Sequence, residues 1–491
     1  MLSGLLVSKR VTVTLERMDK RVSPHLVLAC DLTVRGLNGS DFVCCFMDAD
    51  AQLAPLQQFR EDVFGALERR SNAQFHLLDA ITTAGMVPSF AHLSLQGSFL
   101  HRWGSLYAAL TQGKHDLQRL RAAVGRTLLP DASPVFAIDT TTWVKNDAET
   151  SPGRGYSYHA SRHSAGKPVV AGWSFSWIAQ LGTTQSSWTA PLDVQRVSVE
   201  GTAHQTADDQ IQQVMTLLHG TTTPLFVFDG GYDPTRLAKL HHAEKIAVLV
   251  RVRRNRRFYF DVDDRPGPQG GRPRVHGARF SCQDETSWPA PHQEHLETTS
   301  AYGAVRVRAW SGLHVKSGQD ARPGDNSAKT TYSGTVLLLE VSKLPRETRT
   351  PQAFWLWWRG PGSPDLALLW QAYTRRFDLE HTFRFLKGTL NWDKPRVRTP
   401  EQAEQWSWLV LLAFTQLRLA RAVLEDARLP WQAPQVQGRL TSSRARQGFA
   451  QLLPRLGTPA SPPKPCGYSP GRPSGRRSPP ATRYPAVKRT A

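Results

Sequence analysis

Cysteine and long apolar runs are both scarce in this sequence, and each shortage excludes a class of protein. Only five of the 491 residues are cysteine, so a disulfide framework is excluded and a reducing compartment is expected. The longest strongly apolar run, Trp408–Phe414, is far shorter than the roughly 20 residues that a membrane span needs. The apolar stretch Met1–Val7 precedes Lys9 and Arg10 instead of following basic residues, which does not match a secretory signal. We therefore expect a soluble, cytoplasmic protein without a membrane segment.

Acidic residues are clearly outnumbered by basic ones. The chain has 61 Lys and Arg against 41 Asp and Glu, which gives a net charge of +20 and an isoelectric point of about 10.1. An excess of positive charge of this size is typical of a protein that binds a polyanion, with nucleic acid as the first candidate. A general bias towards Arg, Ala and Pro is the alternative explanation. Charge alone does not indicate what is done to the nucleic acid.

Changes in composition along the chain predict its domain organisation. Residues 1–46 are interpreted as an uncertain N-terminal extension, because a different segment opens at Met47. Apolar residues recur at helical spacing through 47–130, which predicts a helical domain that grips DNA. The tail from 458 to 491 is rich in Pro, Ser, Gly and Arg, and this composition predicts a disordered basic segment.

Short apolar segments alternate between strand and helix patterns from 131 to 252, which predicts an α/β fold with a mixed central sheet. The predicted elements are strands at 134–139, 168–178 and 188–197, a helix at 206–218, a strand at 224–229, a helix at 233–241 and a strand at 246–251. A β-rich insertion is expected over 253–359. The same domain is expected to resume over 360–430, with a long helix at 365–387 and a second helix that begins at Thr399 with a capping box.

Two of the predicted strands end in an aspartate, Asp139 and Asp229. Functional groups gather at the carboxyl ends of strands in open α/β sheets, so adjacent strand ends would bring these side chains together. Two carboxylates that close repel each other unless a cation lies between them, and hard oxygen ligands suit Mg²⁺ or Mn²⁺. Aspartates at strand ends also serve structural roles, so this pattern alone leaves both interpretations open.

One face of the long predicted helix carries an unusual combination of side chains. Arg376, Glu380 and Lys387 follow Tyr373 by three, seven and fourteen residues, and at 3.6 residues per turn these positions fall within an arc of about 60°. Such a face suits a DNA backbone, because a carboxylate can bind metal while cations contact phosphates. A solvated face with ion pairs inside the helix is the alternative.

The spacing Tyr373-x2-Arg376-x3-Glu380-x6-Lys387 resembles the YREK signature of one group of bacterial insertion-sequence transposases. These proteins belong to the DDE class, whose catalytic domain has an RNase H-like fold. The resemblance covers about residues 50–425. It implies an RNase H-like mixed-sheet catalytic domain over 131–252 and 360–430.

Two further motifs resemble those of the same family. Asp139 begins the sequence Asp-Thr-Thr-Thr-Trp-Val-Lys145, which is similar to the family's first-aspartate motif. Asp229-Gly-Gly-Tyr232 is similar to the second, an aspartate followed three residues later by an aromatic residue. A β-rich insertion between the second aspartate and the glutamate is also common in this group.

The resemblance implies an active site and its partners. Asp139, Asp229 and Glu380 would hold two divalent ions, Mg²⁺ or Mn²⁺, and would catalyse cleavage at the ends of a mobile element and strand transfer into target DNA. The protein would act on double-stranded DNA with terminal inverted repeats, as a homodimer, at the nucleoid in the cytoplasm. The residues that would contact DNA are Tyr373, Arg376, Lys387, Lys145, Trp355 and Trp357.

The tryptophans Trp355 and Trp357 have two possible roles. Stacking on a flipped base is one, because a base and an indole ring stack favourably. A place in the core of the insertion is the other.

Two other functions fit part of the pattern. A catalytically inactive or domesticated DNA-binding relative would keep the basic surface, although the presence of all three acids argues against it. A metal-dependent nuclease without strand transfer would keep the acids. A two-carboxylate glycosidase explains neither the charge of +20 nor the basic residues of the helix face.

Overall fold

The computed structural model of the chain describes residues 31–35, 41–45, 49–85, 89–130, 134–158, 168–182, 186–218, 222–241, 245–262, 275–316, 331–345, 353–465 and parts of 467–488. It divides into two units, Met1–Gln52 and Leu53–Ala491. In the first unit, β1 (Asp31–Arg35) and β2 (Asp41–Cys45) form an antiparallel pair. The rest of the predicted extension, 1–46, lies outside the described residues.

The second unit combines helices with one large mixed sheet. The helices are α1 (Ala49–Gly65), which begins in the first unit, α2 (Ser71–Thr83), α3 (Phe90–Leu93), α4 (Trp103–Gln112), α5 (Leu117–Gly125), α6 (Ala203–Leu217), α7 (Pro234–Leu240), α8 (Leu366–Arg375), α9 (Phe377–Gly388), α10 (Pro400–Ala420) and α11 (Ser442–Leu456). The strands are β3 (Leu67–Arg69), β4 (Lys114–His115), β5 (Val135–Val144), β6 (Gly155–Tyr158), β7 (Val169–Leu181), β8 (Thr189–Val197), β9 (Leu225–Phe228), β10 (Ala247–Val252), β11 (Arg257–Phe260), β12 (Arg279–Ser281), β13 (Gln293–Thr299), β14 (Gly303–His314), β15 (Gly334–Val341) and β16 (Phe354–Arg359).

Five strands in the order β8–β7–β5–β9–β10 form the part of the sheet that carries the candidate site. β5, β9 and β10 are parallel, whereas β7 and β8 are antiparallel to their neighbours. Helices α6 and α7 occur between the strands at the predicted places. The predicted α/β layout with a mixed sheet is therefore confirmed, and β6 is an addition that the sequence pattern missed.

The β-rich segment between β10 and α8 extends the same sheet. Its last strand, β16, pairs antiparallel with β10, so that Trp358 lies opposite Leu249. Strands β11 to β15 continue from β16, and the sheet joins twelve of the described strands. The sequence predicts strand-like stretches here, but not that they share a sheet with the domain they interrupt.

The predicted helical segment is present, but it is not a separate N-terminal domain. All ten residues from Ala73 to Thr82 of α2 are buried, and a helix buried on every side needs neighbours on every side. In α1, Arg60 is 1% exposed. Its guanidinium pairs with Asp79 of α2 at 2.6 Å and donates to the carbonyl of Gly457 beyond α11 at 2.9 Å. These helices therefore belong to the same core as the rest of the unit.

Helix α10 lies at the centre of that core. Most of its 21 residues are buried, as expected for a helix that is apolar nearly all round. The predicted capping box is confirmed: Thr399 accepts from the backbone N–H of Gln402, whose side chain accepts in turn from the backbone of Thr399. Among the described residues, α10 included, no helix is both long and apolar enough to cross a membrane.

A short part of the C-terminal tail, near Tyr484 and Val487, lies against the sheet edge. Val487 forms a bridge with Gly155 of β6. The buried guanidinium of Arg154 donates to the carbonyl of Tyr484 at 2.7 Å, and the Tyr484 N–H donates to the Glu149 carbonyl at 2.7 Å. An edge strand offers unpaired backbone groups to any nearby segment, which composition alone does not reveal.

His76 of α2 makes the stability of this core depend on pH. It is 1% exposed, and neither ring nitrogen has a hydrogen-bond partner among the described residues. Burial, together with the charges of His101 and Arg60, lowers its pKa to about 4. Between pH 6.5 and 4 the folded protein therefore binds fewer protons at His76 than the unfolded chain. Its contribution to stability is complete above pH 6.5 and is lost as the pH falls towards 4.

We predict that His76→Leu removes this loss. At pH 5 the variant should be more stable than wild type by about 1–2 kcal/mol, whereas the two should be similar at pH 7.5. Urea unfolding at a series of pH values measures this difference. The exposed His92 provides the control variant His92→Gln, which should follow wild type. Parallel profiles for His76→Leu and wild type would show that His76 does not carry the effect.

Candidate functional site

Strand register brings Asp139 and Asp229 together. Residues of β5 alternate between two core clusters, with Ala137 in one and Ile138 in the other. Ile138 pairs with Phe228 in the parallel register of β5 and β9. Asp139 follows Ile138 within β5, and Asp229 is the first residue after β9, so strand alternation places both aspartates towards the face of Ala137 and Val227. Neighbouring strands are about 4.8 Å apart, which makes the two carboxylates close neighbours.

Asp139 lies within β5 and not at its end, which corrects the predicted strand end. The pairing of β5 with β9 stops at Ile138, but its pairing with β7 continues as far as Val144 opposite Gly172. The β-branched and aromatic residues after Asp139 favour this continuation. The sheet therefore opens at Asp139, and a crevice of this kind is where α/β proteins place ligands.

Backbone N–H groups orient both aspartates. Asp139 Oδ1 accepts from the Thr140 N–H at 2.7 Å, and Asp229 Oδ1 accepts from the Gly231 N–H at 2.9 Å. A Cβ atom at Gly231 would lie 3.0 Å from Asp229 Oδ1. The absence of a side chain at this position therefore leaves room for the carboxylate.

The long helix predicted over 365–387 is two helices, α8 and α9, that meet at Arg376. The Arg376 N–H donates to Tyr373 as well as to Ala372, and the Leu379 N–H donates to the Arg376 carbonyl. Bonds between residues three apart mark a tighter, 3₁₀-like turn. The predicted arc of about 60° assumes one regular helix from Tyr373 to Lys387. This assumption does not hold across the junction. Glu380 lies in the first turn of α9.

Arg376 joins two of the three predicted acids. Its Nη1 lies 3.2 Å from Asp139 Oδ2, and its Nη2 lies 2.8 Å from Glu380 Oε1. The arginine is 3% exposed, whereas the side chain of Glu380 is 46% exposed. The guanidinium is always protonated, so it supplies a buried positive charge between the two carboxylates.

The electrostatics of Asp139 agree with carboxylates that crowd each other. Burial, together with the negative charge of Asp229, raises the pKa of Asp139 to about 7. The charge of Arg376 and the hydrogen bond from Thr140 act in the opposite direction. A carboxylate in such a place gains from an additional cation.

The donor set fits a divalent metal, because three hard carboxylates are the ligands that Mg²⁺ and Mn²⁺ prefer. Their present arrangement is less suited. Within the described parts of the chain, no three Asp, Glu, His or Cys side chains lie close enough together to hold a metal ion. At this site Arg376 lies between Asp139 and Glu380, so a metal would require these groups to rearrange.

Two predicted DNA contacts, Tyr373 and Arg376, are buried. Tyr373 is fully buried in the second core cluster. Burial raises the pKa of its hydroxyl, while the charges of Arg251 and Arg376 oppose this. Neither side chain faces solvent in this conformation, so contact with a phosphate would require movement. Their role in DNA binding stays a prediction, and their present contacts are with the acids and the core.

Trp355 and Trp357 of β16 are also buried, at 4% and 1% exposed. Trp355 packs against Phe280, Trp288 and Trp310, with ring centres 5.1–6.0 Å apart. This position corrects the expectation that these rings are available to stack on a base. It favours the alternative, a role in the core of the insertion.

The two predicted lysine contacts are half-buried beside aromatic rings. The ammonium of Lys145 donates to the Val397 carbonyl at 3.2 Å and lies 5.1 Å from the centre of the Trp143 ring. Burial, together with the charge of Arg396, lowers its pKa to about 8. The ammonium of Lys387 lies 5.7 Å from the centre of the Trp392 ring, and burial lowers its pKa. Lys145 thus links the end of β5 to the segment after α9. This contact explains the position of its side chain without DNA.

Two residues near the acids were not singled out as site residues. Arg251 lies on β10, the third parallel strand, where the alternation of Ala247 and Leu249 places it on the same face as the aspartates, and it is exposed. Tyr232 is 5% exposed, and burial followed by the charges of Asp139 and Asp229 raises its pKa. The strand-end position that singled out Asp229 also applies to Arg251, the last residue of the strand predicted at 246–251.

An acidic crevice at the ends of parallel strands, on a chain with a net charge of +20, suits an enzyme that acts on a phosphodiester backbone. The family model described as "DDE superfamily endonuclease" matches residues 61–316, slightly more than half of the chain. The chain therefore belongs to the DDE superfamily of endonucleases. The matched residues include Asp139 and Asp229 and end before Glu380.

Comparisons with curated proteins and with solved structures give less information about this chain. A search of curated proteins finds no match. A solved structure described as a piggyBac transposase synaptic complex with hairpin DNA is similar, with a TM-score of 0.39 and 10% sequence identity. The similarity covers 84% of this chain and 82% of that chain. A similarity of this size says nothing about the chemistry of the site.

Gly231 provides a test of the site that leaves its acids intact. In Gly231→Ala, the new Cβ would lie 3.0 Å from Asp229 Oδ1 and displace the carboxylate by a few tenths of an ångström. We predict a loss of DNA cleavage of about tenfold, because small misplacements of catalytic groups are costly. The neighbouring variant Gly230→Ala is the control, since its Cβ would meet the Arg251 carbonyl at an ordinary 3.8 Å. Equal cleavage rates for the two variants would contradict the prediction.

Proposed function

We propose that this chain is a DDE transposase that cleaves DNA at the ends of an insertion sequence and joins the freed ends to target DNA. The observation that carries the proposal is the placement of Asp139 and Asp229 as neighbours on parallel strands, with Glu380 linked to Asp139 through Arg376. The strand order β8–β7–β5–β9–β10 supports an RNase H-like catalytic domain. Membership of the endonuclease superfamily supports the cleavage step.

Asp139, Asp229 and Glu380 are proposed as the ligands of two Mg²⁺ or Mn²⁺ ions, since DDE-type endonucleases in general use divalent metals. Bound there, the metal supplies Lewis acidity for the attacking oxygen and stabilises charge on the leaving oxygen. The backbone N–H groups of Thr140 and Gly231 hold the two aspartates in place. Hydrolysis of a phosphodiester would leave a 3′-hydroxyl and a 5′-phosphate. In the joining step this 3′-hydroxyl would attack a phosphodiester of the target strand, whose bond to the 3′-oxygen breaks, so that the target's 3′-oxygen leaves as a hydroxyl.

DNA binding is supported by charge and by the position of Arg251. The chain carries a net charge of +20, and phosphate contacts supply most of the affinity for DNA. Arg251 is exposed beside the acidic crevice, where a phosphate must lie for cleavage. The resemblance to insertion-sequence transposases further predicts a homodimer on paired element ends, at the nucleoid.

Glu380 is the acid that lies outside the matched family range, and its variant tests the proposal most directly. We predict that Glu380→Gln abolishes Mg²⁺-dependent cleavage of DNA, because it removes a metal ligand, and that it leaves DNA affinity within about twofold of wild type. Gel assays of nicking and filter binding measure the two effects.

The matched control is Glu401→Gln, which changes an exposed glutamate in the first turn of α10. It should cleave like wild type. Retention of metal-dependent cleavage by Glu380→Gln would end the assignment of this residue. Failure of wild type to cleave any DNA that it binds would support the inactive DNA-binding relative instead.

Arg251 leads to a separate prediction about DNA affinity. Arg251→Ala should weaken binding and reduce the slope of log affinity against log salt by about 1, because one phosphate contact is lost. Arg306→Ala is the control, since Arg306 is already paired with Glu294. Binding titrations over a range of salt concentrations measure the slopes. An unchanged slope for Arg251→Ala would mean that Arg251 does not contact a phosphate.

A further inference from the structure

Arg376 makes contacts that its predicted role in DNA binding does not explain. A residue meant only to bind DNA phosphates should face solvent, but this side chain is 4% exposed and donates to two carboxylates at once. Its Nε has no hydrogen-bond partner in the described part of the chain, and its guanidinium lies 5.0 Å from the centre of the Phe377 ring. The acids are thus its only strong partners among the described residues.

Arg376 contacts one oxygen of each of two proposed metal ligands. Asp139 Oδ2 and Glu380 Oε1 accept from the guanidinium, and an oxygen that faces a guanidinium is poorly placed to coordinate a cation. A metal ion and a guanidinium bound to the same carboxylates also repel each other. A divalent metal that used these two oxygens would therefore compete with the guanidinium in its present position.

The junction of α8 and α9 provides a place where this arrangement can change. Arg376 lies between the two helices, where bonds between residues three apart replace part of the regular pattern. Tyr373 on α8 and Leu379 on α9 are both buried in the second core cluster, whereas the side chain of Glu380 is 46% exposed. Rotation of the exposed Glu380 side chain, with a small movement at the junction, can separate the guanidinium from the carboxylates without unpacking either helix.

We propose that Arg376 is an internal counter-ion that holds Asp139 and Glu380 in a resting arrangement, and that divalent metal binds in competition with its guanidinium. This inference rests on the proposed function, because it takes these acids as metal ligands. The resting arrangement keeps the buried acids neutralised when metal is absent. Displacement of Arg376 then leaves its guanidinium free to meet a phosphate of bound DNA, so metal and DNA would favour the same rearranged site.

Binding of Mn²⁺ to the full chain without DNA tests the competition. Electron paramagnetic resonance titration measures free Mn²⁺ directly and does not depend on activity. We expect Arg376→Gln to bind Mn²⁺ at least tenfold more tightly than wild type, and Arg376→Lys, which keeps the charge, to stay close to wild type. Arg375→Gln is the matched control, since Arg375 pairs with Asp378 and the Ser186 carbonyl instead.

A second readout is thermal unfolding. In the presence of EDTA, Arg376→Gln should have a lower midpoint than wild type, because it leaves carboxylates without a counter-ion. Mn²⁺ should then raise the midpoint of Arg376→Gln more than that of wild type. Folded Arg376→Gln that binds Mn²⁺ no more tightly than wild type would overturn the proposal and would assign Arg376 to positioning the ligands.

Wild-type protein provides a third test that needs no variant, in case Arg376→Gln fails to fold. Phenylglyoxal modifies exposed arginines, and peptide mass spectrometry locates the products. Mn²⁺ should raise the modification of Arg376 at least fivefold and leave that of the exposed Arg254 unchanged. Unchanged or reduced modification of Arg376 with Mn²⁺ bound would contradict the competition alone, whereas wild type that binds no Mn²⁺ would contradict the proposed function as well.

Discussion

The repulsion between neighbouring carboxylates is the constraint on which this site depends. Asp139 and Asp229 are held side by side by the register of β5 and β9, and burial together with this proximity raises the pKa of Asp139 to about 7. Such a cluster is stabilised by a cation among the acids or by a proton on one of them. Arg376 provides that charge through bonds to Asp139 and Glu380. The same acids that suit a metal-dependent nuclease therefore explain why an arginine is buried beside them.

The acids of this cluster come from two kinds of element, the central sheet and helix α9. The aspartates lie on strands that are packed between two core clusters, and buried ion pairs such as Arg121 with Asp193 fasten the surrounding helices to the sheet. Glu380 comes from α9, which follows an irregular junction with α8. The geometry of the aspartates is thus fixed by the sheet, and the position of Glu380 depends on one helix.

Local patterns predicted the parts of the fold that local physics decides. The predicted strand ends singled out Asp139 and Asp229, the helix predicted at 233–241 corresponds to α7, and the capping box located the start of α10 at Thr399. Burial was harder to predict, because it depends on partners distant in sequence. Trp355 is a residue type that can stack on a base, but it packs into the core. The position of Arg376 in the sequence signature does not reveal that its partner is Asp139 on β5. The insertion joins the central sheet through the pairing of β16 with β10. Nothing in the sequence of either strand predicts that these two strands pair.

Excision of DNA by the protein tests the account most directly. The chain would be incubated with Mg²⁺ and a DNA fragment that carries its own coding sequence with long flanks, beside an Asp139→Asn variant. The account predicts that wild type releases a discrete segment only when Mg²⁺ is present, and that Asp139→Asn binds the DNA but releases nothing. Equal behaviour of the two proteins, with DNA bound and no segment released by either, would contradict a catalytic role for the acidic crevice.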